Sequence, residues 1–101
     1  MIIVNQDKTE IINFDNTLNI SLYPKYDDLD NEVGYEIFAG MKAPDDNYRS
    51  LGTYKSEERA KEVLVEITAQ YALSQMSNSP KFSLVNEDVS RYKPAYEMPE
   101  E

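Results

Sequence analysis

Apolar and polar positions alternate through much of the first half of the chain, which is the pattern of β-strands with one buried face. Leu18, Ile20 and Leu22 alternate with polar neighbours and predict one such strand. We expect Pro24 to end it, because proline cannot donate to a central ladder. A second alternating stretch covers 33–41. Its expected buried face consists of Val33, Tyr35, Ile37 and Ala39, with Glu36 and Phe38 on the opposite face.

Shorter strands are predicted on either side of these two. Two apolar runs, 2–6 and 9–14, flank a polar break at 7–8 and predict a hairpin, although the break contains no glycine. A proline that precedes aspartates and an asparagine predicts a turn over 43–47. Tyr48–Tyr54 is the expected return strand.

The apolar period changes to that of an α-helix after Ser56, which is a good N-cap residue. Two glutamates follow in the first turn, where the helix dipole favours negative charge. The spacing predicts a helix over 57–75. Its main apolar face consists of Ala60, Val63, Leu64, Ile67 and Tyr71. A second, weaker apolar stripe predicts either contact with a second subunit or the tolerated exposure of small side chains. Its members are Val65, Ala69, Ala72 and Met76.

The pattern after the helix is less regular. A polar segment at 77–80 ends the helix, and 82–85 predicts a short strand. The last residues, 94–101, are expected to form either an edge strand or a loose tail. The length fits one domain over 1–101, with the packing of 77–101 left open. The sequence therefore predicts an α+β fold, with an antiparallel sheet of four to six strands and one long helix packed on one face.

Charge is the property that most restricts function. The 101 residues include 19 acidic and 10 basic side chains, for a net charge of −9, and they include no histidine and no cysteine. Without these two residue types, the usual nucleophile–base pairs and zinc sites cannot be built. The negative charge disfavours direct binding of nucleic acid or anionic membranes. We therefore expect a binding protein rather than an enzyme, with no cofactor and no metal site.

The carboxylates between Asp27 and Glu32 alternate as oxygen ligands do in a calcium loop. Two positions disagree with an EF-hand loop that starts at Asp28. Val33 stands where glycine is needed, and Ala39 stands where the bidentate glutamate belongs. We therefore interpret this segment as a solvated acidic loop.

Acidic segments near tyrosines are the candidate partner-binding site. Carboxylates can stand in for the phosphates that a nucleic-acid-binding protein recognises, and tyrosine is enriched in interface hot spots. Solubility alone is the competing explanation for each cluster. The candidate residues are Asp27, Asp28, Asp30, Glu32, Asp45, Asp46 and Tyr48. The two acidic segments flank the predicted strand 33–41, so we expect them at its opposite ends.

Three segments together resemble known proteins. They are MIIVNQDKTEIINFDN at 1–16, LGTYKSEERAKEVLVEI at 51–67 and YEMPEE at 96–101. In this order they resemble small proteins encoded by phages and prophages of Gram-positive bacteria, although they cover under half of the chain. The resemblance implies an accessory protein of a mobile element that works in the bacterial cytoplasm. It brings no assigned activity and no site residues.

Three functions of different classes fit these observations. The first is inhibition of a host defence protein, in the manner of an anti-CRISPR that mimics nucleic acid and binds a basic nuclease such as a CRISPR effector. The second is sequestration of an anionic signalling nucleotide, with Arg49 and Arg59 converging beside Tyr48 or Tyr54 in an oligomer. The third is self-assembly of a phage accessory protein, for example as a homodimer through the helix.

Overall fold

The structure, a computed structural model, describes residues 1–44, 47–77 and 95–101. These residues form the α+β fold that the sequence predicted. The elements are β1 (Ile2–Val4), β2 (Ile11–Asn13), a 3-10 turn (Phe14–Asn16), β3 (Thr17–Tyr26), β4 (Glu32–Met41), β5 (Tyr48–Tyr54), α1 (Glu57–Ser77) and β6 (Ala95–Glu97). The described strands form two three-stranded sheets, whereas the sequence predicted one antiparallel sheet.

The smaller sheet has the strand order β2–β1–β6. β1 and β2 pair antiparallel, so the predicted hairpin is confirmed. Lys8 in its turn has a φ of 63°, a left-handed conformation that glycine adopts more readily. Asp7 stabilises the turn, because its carboxylate accepts hydrogen bonds from the Thr9 N–H at 3.2 Å and the Thr9 hydroxyl at 2.6 Å. These bonds hold the pKa of Asp7 below its ordinary value.

The C-terminal segment forms the edge of the smaller sheet. β6 pairs parallel with β1, so the edge strand is the observed one of the two predicted alternatives. Tyr96 in β6 is buried, and its hydroxyl donates to Glu66 Oε2 on α1 at 2.9 Å. Burial and this hydrogen bond raise the pKa of Tyr96. The Met98 N–H continues the pairing by donating to the Val4 carbonyl at 3.0 Å.

The larger sheet is an antiparallel meander in the order β3–β4–β5. β3 runs through Pro24 to Tyr26, so the prediction that Pro24 ends this strand is wrong. β3 lies at an edge of the sheet, where a strand tolerates proline because a missing N–H can face away from the ladder. The predicted buried face is correct for Ile20 and Leu22, which pack against the core, and wrong for Leu18, which is exposed.

β4 is the central strand of the larger sheet. Ile37 and Ala39 are fully buried as predicted, and Tyr35 packs at the margin of the core. Val33 is half exposed at the start of the strand, which differs from the predicted face.

β5 contains a β-bulge that changes which face of the sheet its side chains reach. A register shift between Ile37 and Phe38 of β4 leaves Leu51 as an extra residue in β5. An extra residue of this kind changes which face the following side chains reach. As a result Leu51 and Tyr54, three positions apart, both lie in the core.

α1 begins at the predicted residue and ends two residues later than predicted, at Ser77. The Ser56 hydroxyl caps it by accepting a hydrogen bond from the Arg59 N–H at 3.1 Å. Its predicted apolar face is buried at Ala60, Val63 and Ile67. Tyr71, near its C-terminal end, packs on Phe14 with ring centroids 4.7 Å apart. The helix contacts β4 and β5, so it covers one face of the larger sheet.

Both sheets and the helix share one core. Its buried hydrophobic residues are Ile3, Ile12, Ile37, Ala39, Leu51, Tyr54, Ala60, Val63, Ile67, Tyr96 and Met98. Gln6 joins the two sheets at the end of β1. Its backbone N–H donates to the Leu51 carbonyl at 2.7 Å, and its side-chain Oε1 accepts from the Thr53 N–H at 2.8 Å. Its Nε2 donates to the Thr53 carbonyl at 2.8 Å, so the side-chain amide pairs with β5 as a neighbouring strand would.

Two sequence predictions lie outside the described residues. They are the short strand 82–85 and the two aspartates of the turn at 45–46. Within the part of the chain that the structure describes, no helix has the length and apolar character needed to cross a membrane.

Candidate partner-binding surfaces

The loop between β3 and β4 forms an acidic tip, which we define as residues 26–33. Asp27 holds its shape, because one carboxylate oxygen accepts hydrogen bonds from the N–H groups of Leu29 and Asn31, both at 2.9 Å. The backbone closes the same loop through Asp27 N–H to the Asn31 carbonyl at 2.9 Å. The backbone donors of Asn31 and Leu29 lower the pKa of Asp27. The carboxylate of Asp27 is therefore a structural part of the loop.

Apolar side chains project from the acidic tip together with its carboxylates. Leu29 is 80% exposed and Tyr26 is 55% exposed, although both are large and apolar. Asp28 and Asp30 lie in the same loop and are also exposed. An exposed apolar anchor among charged groups is the composition of a protein-binding surface, since buried aromatic or aliphatic anchors supply most of the binding energy at interfaces.

Glu32 closes the acidic tip at the first residue of β4. It accepts a hydrogen bond from the Tyr35 hydroxyl, which raises the pKa of Tyr35 to about 12. Glu32 therefore places its carboxyl group beside Tyr35 at the base of the tip.

The candidate residues do not form one patch. β4 starts at Glu32, beside the acidic tip, while Tyr48 pairs with Gly40 near the other end of the strand. Gly40 lies eight positions after Glu32 along the strand, which corresponds to about 26 Å. Asp45 and Asp46 lie outside the described residues, in the connection from β4 to β5. The expected position of Asp45 and Asp46 at the other end of β4 therefore lies outside the described residues.

Tyr48 belongs to an aromatic cluster, which we define as Tyr23, Phe38 and Tyr48. These residues come from β3, β4 and β5 and line a surface cavity of about 360 Å³ on the face of the larger sheet that α1 does not cover. The Tyr23 and Phe38 rings meet edge to face, with centroids 6.1 Å apart and planes at 61°. Tyr23 is 53% exposed and Tyr48 is 63% exposed.

Gly40 makes room for this cluster. A Cβ atom at Gly40 would lie only 3.2 Å from Cε1 of Tyr48, and it would collide with the side-chain oxygen of Asn19. The glycine thus lets the Tyr48 ring lie across β4. Sequence reasoning missed Phe38 as a site residue, although the alternation had placed it on the face opposite Ile37.

Glu36 lies beside the aromatic cluster on the same face. It is paired directly with Tyr23 across β3 and β4, and directly paired residues point to the same side of a sheet. The Ser50 hydroxyl donates to Glu36 Oε2 at 2.6 Å, and Ser50 is itself paired with Phe38. The carboxylate of Glu36 is therefore held between the aromatic cluster and the edge of β5.

The arginines proposed for a nucleotide pocket are engaged by acidic groups. Arg49 Nη1 lies 2.9 Å from Glu10 Oε2, and Arg59 Nη1 lies 3.2 Å from Glu62 Oε2. Arg59 Nε also donates to the Glu101 carbonyl oxygen at 2.9 Å. An anionic ligand would have to displace these contacts.

The outer side of α1 carries the weaker apolar stripe that the sequence predicted. Val65 is exposed there, and so are Ala69 and Ala72. Among residues 1–44, 47–77 and 95–101, no group of three or more acidic side chains is arranged to hold a metal ion. Comparison of the chain with protein-family models, with curated proteins and with solved structures gives no match.

Proposed function

We propose that this chain is a non-enzymatic binding protein of phage or prophage origin that inhibits a host defence nuclease. In this proposal its carboxylates occupy the basic surface on which the nuclease binds phosphates, as an anti-CRISPR-like nucleic-acid mimic does. The net charge of −9 supports a basic partner, since opposite charge steers association. The resemblance of three segments to phage-encoded proteins supports the origin.

The observation that carries the proposal is the acidic tip. Asp28, Asp30 and Glu32 surround the exposed Leu29 in a loop that Asp27 holds in one conformation. A loop already fixed in shape loses less conformational entropy on binding than a flexible loop. The tip therefore combines charge for recognition, an apolar anchor for affinity and a fixed geometry.

The proposal is tested by capture of partners from a host that carries its defence systems, at low and high salt. The double variant Asp28→Asn and Asp30→Asn removes charge from the tip without changing its shape. Glu58→Gln and Glu97→Gln remove the same charge from exposed positions elsewhere, so they form the matched control. We expect a basic nuclease that is retained by the wild type and the control, is lost with the tip variant and is released by salt.

The nuclease captured in this way is then assayed for DNA binding with and without the protein. Restored DNA binding with the tip variant supports mimicry by the acidic tip. Equal inhibition of the nuclease by the tip variant and by the control variant contradicts mimicry, because the charges at the tip then contribute only solubility. Recovery of the protein alone favours the self-assembling accessory protein, and a melting temperature raised by a nucleotide favours sequestration of that nucleotide.

A further inference from the structure

We propose that the aromatic cluster together with Glu36 receives an arginine side chain of a basic protein partner. This inference rests on the proposed function and adds a second contact, on the open face of the larger sheet. It assigns a role to Tyr23, Phe38 and Tyr48, which the fold leaves on the surface.

The shape of the site fits a flat cation. Tyr23 and Phe38 meet edge to face, so their rings form two walls of the cavity, and Tyr48 supplies a third. The faces of aromatic rings carry negative electrostatic potential and attract a cation within about 6 Å of the ring centroid. A guanidinium group is planar and weakly hydrated, so it stacks on such a face more readily than an ammonium group does.

The charge next to the cluster also fits a cation. The Glu36 carboxylate lies on the same face and is oriented by the Ser50 hydroxyl at 2.6 Å. A carboxylate can accept two parallel hydrogen bonds from a guanidinium group. Among the described residues, Ser50 donates to one Glu36 oxygen, Oε2, so the Glu36 side chain retains acceptor capacity toward a ligand. An apolar partner would leave this carboxylate desolvated and uncompensated, which is costly.

The neighbouring cavity keeps the surroundings acidic. Within the described part of the chain, its charged lining residues are Asp7, Glu10, Glu36 and Lys25. Because Glu10 pairs with Arg49, two carboxylates remain beside the single ammonium group. The local charge therefore favours an arriving cation over an anion, in agreement with the net charge of the chain.

The test uses a blocked peptide with two arginines flanked by glycines, and the same peptide with citrulline in place of arginine. Citrulline keeps the length and most hydrogen-bonding groups of arginine but is neutral. We expect the arginine peptide to shift the NMR signals of the three rings of the cluster, and the citrulline peptide to bind about ten-fold more weakly. Equal binding of both peptides, or shifts located elsewhere, would overturn the proposal.

Variants separate the roles of rings and carboxylate. Tyr23→Leu with Tyr48→Leu removes two rings, Glu36→Gln removes the charge, and Tyr71→Leu on α1, outside both candidate surfaces, is the control. We expect the first two to weaken binding of the arginine peptide about ten-fold and the control to leave it unchanged. The amide spectrum of each variant reports whether the fold is retained. Ring shifts that appear on raising protein concentration without peptide would overturn the proposal, because the cluster would then be a contact between two copies.

This test is independent of the tip experiment. Capture of a nuclease through the acidic tip, without arginine binding at the cluster, would reject the further inference and leave the proposed function standing. Arginine binding at the cluster without any captured basic protein would reject the proposed function and leave the cluster as a guanidinium site.

Discussion

At the scale of single residues, Gln6 connects the two sheets through its side-chain amide. The amide offers an acceptor and donors in one plane, so it can pair with both the N–H and the carbonyl of Thr53. Its Nε2 also lies 3.0 Å from the Glu100 carbonyl oxygen and 3.3 Å from that of Pro99. One side chain thus contacts β5 and the C-terminal segment together.

Replacing Gln6 by alanine should therefore lower the free energy of unfolding by about 1–3 kcal/mol, because backbone groups of Thr53 lose their partners. Urea denaturation followed by circular dichroism measures this change. Gln75→Ala, at an exposed position of α1, is the control and should stay within about 0.5 kcal/mol of the wild type. A Gln6→Ala variant as stable as the control would show that these hydrogen bonds do not join the sheets.

Asp27 gives the acidic tip a dependence on pH. Its pKa in the folded protein lies below the ordinary value of 3.8, since backbone N–H groups of the loop stabilise the carboxylate. The stabilisation is fully present above the unfolded-state pKa and is lost as the pH falls through the folded-state pKa. The stability difference between wild type and Asp27→Ala should therefore be constant near neutral pH and shrink as the pH falls below about 4.

Denaturation of both proteins at each pH measures the stability difference. An NMR titration of the Asp27 carboxyl carbon measures its pKa in the folded protein. Asp28→Ala is the matched control, because Asp28 lies in the same loop while Asp27 makes the hydrogen bonds to the backbone. A stability difference that does not change with pH would contradict the structural role of the Asp27 carboxylate.

At the scale of elements, the helix could be predicted and the strand faces only in part. The helical period continues without interruption through Ala60, Val63 and Ile67, so neighbouring residues alone define the buried face. Strand faces depend on pairing with other strands. The extra residue at Leu51 and the edge position of Pro24 arise from that pairing, and no local pattern reports it.

The buried face of α1 can be tested by truncating Ile67, which is only 2% exposed. Ile67→Ala should lower the free energy of unfolding by about 2–5 kcal/mol, because it leaves a cavity between the helix and the larger sheet. Val65→Ala, on the exposed side of the same helix, should change it by less than about 1 kcal/mol. Equal losses in thermal or urea denaturation would mean that Val65 is also buried, as contact with a second copy would require.

At the scale of the whole molecule, the two candidate surfaces differ in how far the sequence could predict them. The acidic tip is one continuous segment, so its charges and its position beside β4 follow from the chain itself. The aromatic cluster combines side chains from three strands, Tyr23, Phe38 and Tyr48, through the register of the larger sheet. The alternation of apolar and polar residues placed Phe38 on the correct face of β4. It did not identify Tyr23 and Tyr48 as the residues beside Phe38 on the neighbouring strands.

The C-terminal segment is the part of the molecule that contacts the smaller sheet, the larger sheet and the helix together. The Tyr54 hydroxyl donates to the Pro99 carbonyl at 2.8 Å, Arg59 Nε contacts the Glu101 carbonyl oxygen at 2.9 Å, and Met98 is fully buried in the shared core. Burial raises the pKa of Tyr54 to about 12, so its hydroxyl remains a donor well into the alkaline range. The segment therefore couples the stability of all three parts.

Met98→Ala should lower the free energy of unfolding by about 2–5 kcal/mol while the protein still unfolds in one transition. Urea denaturation followed by far-ultraviolet circular dichroism and by tyrosine fluorescence tests the loss of stability and the single transition. In a single transition the two signals change at the same urea concentration. Glu97→Ala, at the exposed neighbouring position, should have a small effect. If Met98→Ala leaves the midpoint unchanged, or if the two signals separate, the C-terminal segment detaches before the core unfolds and does not couple the sheets to the helix.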